Sequence, residues 1–366
     1  MTRIRISNAQ FVCLLTQFNF VATLLLLPAP MAMRAGPDAW LTVPIGMCLG
    51  ALPVSVLLGL LIRRHPDVSF FEVTELVLGK WAGRVALLVL GAFSLFLTSL
   101  IIRNTMDFAA ISLLPGTPLI VIAALFTATI AYAAYGGSEV IARLAPLALI
   151  LATIASIAML AGLTDEVAFT RVLPVLKDGL LPVFRGAWPS TGWFAEFVAI
   201  APIVFQMNQP KKALGSMLLG NGLAALFLAY LVICSLLVFS PDLTQKFIYP
   251  TYALARQVSA GQFLERLELI VITFWQAGMV IKAASTLWAA TACLGWSVGL
   301  TRVTWLPVIM AAVAMGLTLI WSSELAEAWF GIFIWTPVML PFEIGLPALL
   351  LAASFWKKRP RKGVTV

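Results

Sequence analysis

Residues 9–33 read AQFVCLLTQFNFVATLLLLPAPMAM, and residues 188–208 read WPSTGWFAEFVAIAPIVFQMN. Each is apolar over enough length to cross a hydrocarbon layer as a helix, which takes about 20 residues. Each also departs from an ordinary span. The first sets Gln17, Asn19 and Thr23 near its centre, ahead of Pro28 and Pro30; the second carries Pro189, Gly192 and the carboxylate of Glu196, ahead of Pro202. A helix in lipid satisfies its own backbone, so an interruption at membrane depth is tolerated only where protein buries it or a cavity lies beside it. The two stretches therefore predict discontinuous helices flanking a midplane site. Half-helix N-termini would offer N–H groups to a carboxylate, and freed carbonyls would accept an ammonium. A plain proline kink in a permissive helix is the simpler alternative.

The rest of the chain fits a membrane setting. Hydrophobic residues make up 61% and charged residues 11% of the 366, against about 25% charged in a soluble domain, so a water-facing surface cannot be built. Apolar segments centre on residues 9–33, 39–62, 85–102, 118–135, 144–163, 188–208, 213–239, 268–292, 304–321 and 330–356, which predicts an all-α integral membrane protein of about ten transmembrane helices. Helices 1 and 6 then hold corresponding positions in a five-plus-five arrangement. On this reading residues 1–366 form one transmembrane domain, with a first inverted repeat at 1–163, an external amphipathic segment at 164–187 and a second repeat at 188–366. A further external segment, 240–267, also mixes apolar pairs with charges, and both are expected to lie on the membrane surface or to form a packed cap.

Charge sets the orientation. Arg3, Arg5, Arg63, Arg64, Lys80, Arg84, Arg143, Lys211, Lys212, Arg302 and the basic tail at 357–362 fall on one side, and fewer bases on the other. The positive-inside rule puts that side, and both termini, in the cytoplasm of an inner membrane. The net charge of +8 is thereby explained without a nucleic-acid partner. Cys13, Cys48, Cys234 and Cys293 lack metal or redox spacing and read as small apolar residues. The one histidine, His65, stands in a basic loop without a nearby nucleophile, and no Walker-type Gly-Lys-Ser/Thr occurs. No enzyme, metal site or cofactor is expected.

The candidate ligand-binding residues are those at the two breaks, Asn19, Val21, Ala22, Thr23, Leu24, Phe194, Ala195 and Glu196, with Thr98 of the third span. Ionisable residues inside a membrane are expensive and usually functional or paired. Glu196, Lys282 and Glu343 are accordingly the candidate coupling residues. Lys282 could replace a coupling cation or pair with a carboxylate, and Glu343 could pair with Lys282. Snorkelling to the interface is the alternative for Glu196 and Lys282. Phe18, Phe20, Trp193 and Phe194 crowd the breaks and favour a compact ligand.

Several strings carry a resemblance: Ile6-Ser7-Asn8-Ala9-Gln10, Leu25-Leu26-Leu27-Pro28, Ala35-Gly36-Pro37-Asp38-Ala39-Trp40, Leu78-Gly79-Lys80-Trp81-Ala82-Gly83, Glu139-Val140-Ile141-Ala142-Arg143-Leu144, Leu173-Pro174-Val175-Leu176-Lys177-Asp178-Gly179-Leu180 and Tyr249-Pro250-Thr251. In this order they resemble the B subunit of bacterial endospore germinant receptors, the GerAB-type spore germination permeases of the amino acid/polyamine/organocation superfamily. The resemblance implies the five-plus-five inverted-repeat fold, A and C receptor subunits as partners, and sensing of an amino acid or another small nutrient. One departure is local: where the family has a glycine-containing break, this chain has Val21 and Thr23, which gives the backbone less freedom to unwind. Three functions stay open: a ligand-sensing receptor subunit, a proton- or cation-coupled amino-acid transporter, and a receptor subunit without its own ligand.

Overall fold

The computed structural model describes residues 6–66, 68–163, 166–257, 267–300, 303–321 and 323–356. The basic tail at 357–362 and residues 258–266 of the second external segment lie outside them, as do Arg3, Arg5 and Arg302. Among the described residues the chain is helical, with one isolated bridge, Ile6 to Met207, in place of any sheet.

The chain begins with α1 (Asn8–Leu26) and α2 (Pro28–Ala35), then a 3₁₀ turn at Gly36–Leu41, α3 (Thr42–Leu49) and α4 (Ala51–Arg64). The short α5 (Phe70–Leu78) precedes α6 (Lys80–Ser112), α7 (Leu119–Tyr135) and α8 (Gly137–Ala161). In the second half come α9 (Leu181–Ala195), a 3₁₀ stretch Glu196–Ile200, α10 (Ala201–Val204), α11 (Ala213–Thr244), α12 (Pro250–Gln257) and α13 (Leu267–Val298). The chain closes with α14 (Leu306–Leu317), α15 (Glu324–Trp329), a π-helical stretch Phe330–Ile334 and α16 (Trp335–Trp356). Among the described residues seven stretches are long and apolar enough to cross a membrane, while Leu119–Tyr135 and Leu306–Ile320 are shorter apolar helices. The expected segment 188–208 is the broken run from α9 to α10.

Capping and packing explain the string at the start. Ser7 caps α1 in a reciprocal box with Gln10, which satisfies two orphan donors at once. Ile6 exchanges backbone hydrogen bonds with Gln206 and Asn208 at 3.0 and 2.9 Å, and the Asn8 amide reaches Ser216 Oγ at 2.8 Å. The N-terminus is thus pinned to the chain just after the broken sixth segment. Two other strings meet in space, since the Leu176 N–H donates to Asp38 Oδ1 at 2.9 Å. The apolar segments at 39–62 and 85–102 leave out α5, although Ser69 and Glu72 form the same kind of box before Phe70.

Two expectations change. Helix 1 does not unwind at residues 17–23: α1 runs through them without a break. Val21 and Thr23 supply no glycine, and the Thr23 hydroxyl folds back to the Asn19 and Phe20 carbonyls, both at 2.8 Å, so the polar residues are satisfied along the helix itself. The interruption falls at Leu27–Pro28 instead. Second, α9 starts at Leu181, so residues 181–187 are helical and continuous with the sixth segment.

Prolines release carbonyls, because a prolyl nitrogen has no proton for the residue four back. Pro28 releases the Leu24 carbonyl, and Thr251 Oγ1 at the head of α12 donates to it at 2.6 Å. Pro189 releases the Arg185 carbonyl, which Arg34 Nη1 reaches at 3.1 Å. Pro241, after a kink at Ser240 (φ 66°), releases the Leu237 carbonyl to the Ala168 N–H at 3.1 Å and Arg171 Nη1 at 2.7 Å. Thr251→Val should leave a buried carbonyl unsatisfied and cost about 1–3 kcal/mol. A fall in melting temperature that Thr251→Ser does not reproduce checks this, and equal melting of the two variants would count against the latch.

Close helix crossings use glycine. Gly46 and Gly50, spaced as in Gly-x-x-x-Gly, let α3 and the start of α4 lie on α9: a Cβ at Gly50 would stand 1.9 Å from the Thr191 carbonyl oxygen, and one at Gly46 2.1 Å from Ser190 Oγ. Within a bilayer such small-residue contacts replace the hydrophobic effect as the source of helix association.

Candidate functional site

The sixth segment changes character at Glu196. Gly192 brings α9 against α16, so close that a Cβ there would meet Thr336 Oγ1 at 2.8 Å, and Thr336 Oγ1 donates to the Pro189 carbonyl at 3.1 Å. Trp193 Nε1 donates to the Gly331 carbonyl of the π-helical stretch at 3.0 Å. Beyond these ties the α-helix gives way to the 3₁₀ stretch, which frees backbone carbonyls; Ser94 Oγ on α6 serves one, at Ala199, at 3.0 Å.

Glu196 and Lys282 come together at this break. Lys282 Nζ donates to Glu196 Oε1, with 1% and 4% of the two side chains exposed. The same ammonium lies 4.7 Å from the centre of the Phe18 ring, a cation–π placement that adds to the ion pair. Glu343 on α16 is fully buried and has the Trp335 indole as a side-chain partner. It lies within electrostatic reach of both Glu196 and Lys282. Lys282 thus pairs with Glu196, and the expected Glu343–Lys282 bond is not formed. Burying ions costs several kcal/mol each before pairing returns part of it, and the fold brings these three ionisable groups within reach of one another.

A cavity of about 20 Å³ adjoins the pair, lined by Ala22, Leu97, Leu100, Ile101, Asn104, Trp193, Glu196, Lys282, Glu327, Gly331 and Trp335. That volume holds about one water molecule. A second small cavity, sharing Ala22 and Asn104 with the first, is walled by Phe108, Tyr249 and Trp275, and the Phe108 ring packs edge-on against Tyr249, Tyr252 and Trp275 at 5.1, 5.5 and 4.5 Å.

The other sequence candidates distribute around α1. Ala22 lines the charged cavity, whereas Val21 and Leu24 line a different one of about 30 Å³ with Gln17, Ser156 and Trp275. The Val21 carbonyl accepts from Trp275 Nε1 at 2.7 Å. Asn19 is buried and donates to Asn221 Oδ1 and, at 3.4 Å, to the Phe194 carbonyl. Phe194 and Ala195 are fully buried in packing. Thr98 Oγ1 lies 2.8 Å from Thr286 Oγ1, across the α6–α13 contact. Sequence reading passed over Asn104, Trp335 and Glu327. Of these, only the apolar surroundings of Asn104 offered a signal.

A helical membrane bundle with a broken sixth segment, a buried carboxylate–ammonium pair at that break and a small cavity beside it has the form of a transporter-type membrane protein. Solved structures agree at the level of fold. Mhp1, a nucleobase-cation-symport-1 family transporter in a closed conformation with bromovinylhydantoin bound, has a TM-score of 0.66 at 13% identity, covering 97% of this chain and 93% of that one. MhsT in complex with L-phenylalanine has a TM-score of 0.65 at 14% identity, with the same coverage. A Na⁺-coupled sialic acid symporter in a substrate-bound outward-open state has a TM-score of 0.66 at 14% identity, covering 93% of this chain and 78% of that one.

Among sequences, the chain is 24% identical to the spore germination protein YndE of Bacillus subtilis (strain 168), over 98% of both chains. It is 24% identical to spore germination protein KB of the same organism, over 99% of this chain and 98% of that one. Residues 5–325 match the spore permease family, described as spore germination protein, and the chain belongs to that family. It is a multi-pass membrane protein of the germinant-receptor type, in a family of receptors and permeases.

Proposed function

We propose that this chain is the membrane subunit of a spore germinant receptor, which binds a small nutrient, an amino acid, beside the break in the sixth helical segment and signals germination. The observation that carries this reading is the buried Glu196–Lys282 pair, with the carboxylate of Glu343 within electrostatic reach of it. A zwitterion can exchange with such a pair, its carboxylate taking Lys282 and its ammonium taking Glu196. The exchange separates the 3₁₀ stretch from α13, so a ligand binds the separated state better than the closed one, as population shift requires. In this proposal the chain has ten spans in two inverted repeats within one domain, both termini face the cytoplasm of the inner membrane, and A and C subunits receive the signal.

The test is thermal stabilisation of the purified chain by a panel of amino acids and nucleosides, since specific binding raises apparent stability by mass action. At about 100 times Kd the gain is about 2.7 kcal/mol. Glu196→Gln should abolish the ligand-dependent shift while the variant still inserts and folds. An equal shift in the variant would remove Glu196 from the site. Absence of any shift in folded wild-type protein would point to a subunit without its own ligand. The transporter-type fold and the buried carboxylate of Glu343 favour one second reading, cation- or proton-coupled transport; uptake of the stabilising ligand into proteoliposomes along an ion gradient would support it over sensing alone.

A further inference from the structure

Gln17 is a polar residue of α1 that the charged site leaves unused. It is 1% exposed, and its amide nitrogen has no hydrogen-bond partner among the described residues. A buried donor left unmade is costly, so this one calls for an acceptor. It lines the cavity of about 30 Å³ beside Val21 and Trp275. Other donors on that wall are committed to the main chain: Thr251 Oγ1 to the Leu24 carbonyl at 2.6 Å, Trp275 Nε1 to the Val21 carbonyl at 2.7 Å and Ser156 Oγ to the Ala152 carbonyl at 2.8 Å. No acidic or basic side chain lines the cavity. Its complement is therefore a neutral acceptor oxygen, because an ion would be stranded there without a counter-charge.

On the other side of Ser156 lies a larger space. A groove of about 270 Å³ separates α8 from α11, lined by Thr153, Ser156, Ile157, Leu226, Phe227 and Tyr230. That volume is close to the lower end for small-molecule sites, about 300 Å³. Ile157 and Leu226 at its edge are 64% and 66% exposed, and Ile150 and Ile154 continue the same exposed face of α8. The stretch Gly137–Met159 is apolar enough to cross a membrane, so this face meets hydrocarbon. The polar groups of the groove are turned to the main chain, Thr153 Oγ1 to the Leu149 carbonyl at 2.9 Å and the Tyr230 hydroxyl to the Ser156 carbonyl at 2.8 Å. Ser156 belongs to the walls of both spaces. Phe20 of the inner cavity packs on Phe227 of the groove, with ring centres 5.1 Å apart. One serine and one pair of rings thus stand between the lipid-facing groove and the unpartnered Gln17 amide.

We propose that the α8–α11 groove and the cavity behind it form a second binding site, entered from the lipid layer, for a neutral apolar compound that carries one hydrogen-bond-accepting oxygen. The apolar body fills the groove, and the oxygen accepts from Gln17 Nε2 once the Phe20 and Phe227 rings turn aside. Compounds of this class dissolve in the hydrocarbon layer, which concentrates them at the entrance. The site is separate from the Glu196–Lys282 pair and stands whether or not that pair binds an amino acid.

The experiment uses the purified full chain in nanodiscs of phosphatidylglycerol and phosphatidylethanolamine, with a diazirine-bearing octanol as photolabel and adducts mapped by peptide mass spectrometry. Competitors are compared at equal concentration in the membrane: heptyl methyl ketone, which accepts a hydrogen bond, nonane, which cannot, and nonylammonium, which is charged. Adducts should concentrate on the groove residues of α8 and α11, and the ketone should compete about two- to tenfold better than nonane, as one neutral hydrogen bond implies. Nonylammonium should compete no better than nonane. Gln17→Leu should make ketone and nonane equal, and Leu226→Trp, at a lipid-facing position, should remove the groove adducts. Adducts spread evenly over the exposed faces of α8 and α11 overturn the site. Groove adducts with equal competition by ketone and nonane in the wild type, or with the ketone preference kept in Gln17→Leu, overturn the assignment of Gln17 and of the ligand class, as does competition by nonylammonium matching the ketone. The wild-type comparison decides the matter even if Gln17→Leu fails to fold.

Discussion

Replacing Lys282 by methionine is expected to destabilise the protein by about 3–5 kcal/mol, because it strands Glu196 as a buried carboxylate without its cation. Methionine keeps the stem length, so the loss is one of charge and not of packing. Glu196→Gln in the same chain should recover much of the lost melting temperature, since it removes the carboxylate that the first change strands. All of these variants should lose ligand response. Additive losses in the double variant would show that the two side chains do not bond in the folded protein, contrary to the contact between Lys282 Nζ and Glu196 Oε1.

Gly50→Ala should also be severe. The atom that its new methyl would meet, at 1.9 Å, is the backbone oxygen of Thr191, which no rotamer change can move aside. Overpacking costs about 1–3 kcal/mol where side chains can yield, and more where they cannot. The affected contact is the one that seats α9, and therefore Glu196, against the first half of the chain. Gly215 on α11 is the control: nothing lies within 4 Å of a Cβ placed there, so alanine should be neutral or stabilise by up to about 1 kcal/mol through helix propensity. Detergent-solubilised yield and melting temperature read both. Wild-type melting of Gly50→Ala would mean that α3 and α9 do not cross at this depth.

How much of this was legible in the sequence depends on range. Apolar runs and their punctuation gave helical segments close to where they lie, because a span is a local property of about 20 residues. The interruption at the sixth segment was also local: glycine, proline and a carboxylate in one run. The expected unwinding at residues 17–23 failed because polarity alone does not break a helix; Thr23 bonds its own backbone, and only Pro28 removes a donor. Glu196 and Lys282 could each be singled out as expensive, yet no spacing rule relates two residues on different helices, so their mutual bond was invisible and Glu343 looked an equal partner for Lys282. Glu327 was hidden for a different reason. In SSELAEAW (residues 322–329) its charge reads as belonging to the membrane edge, and only the π-helical turn after it brings that strand of chain to the cavity wall.

The adopted carbonyls have a meaning for descent. Pro28 and Thr251, Pro189 and Arg34, and Pro241 and Arg171 are each a loss of one donor matched by a gain elsewhere in the chain. Neither change of a pair is easily tolerated alone: a proline without its donor strands a polar group away from water, and the donor without the proline competes for a carbonyl already taken. Relatives should therefore inherit each pair as a unit, with positions 28 and 251 changing together although they lie 223 positions apart in the sequence. Aligned spore permeases then become a record of which helix contacts each lineage has kept, readable from prolines alone.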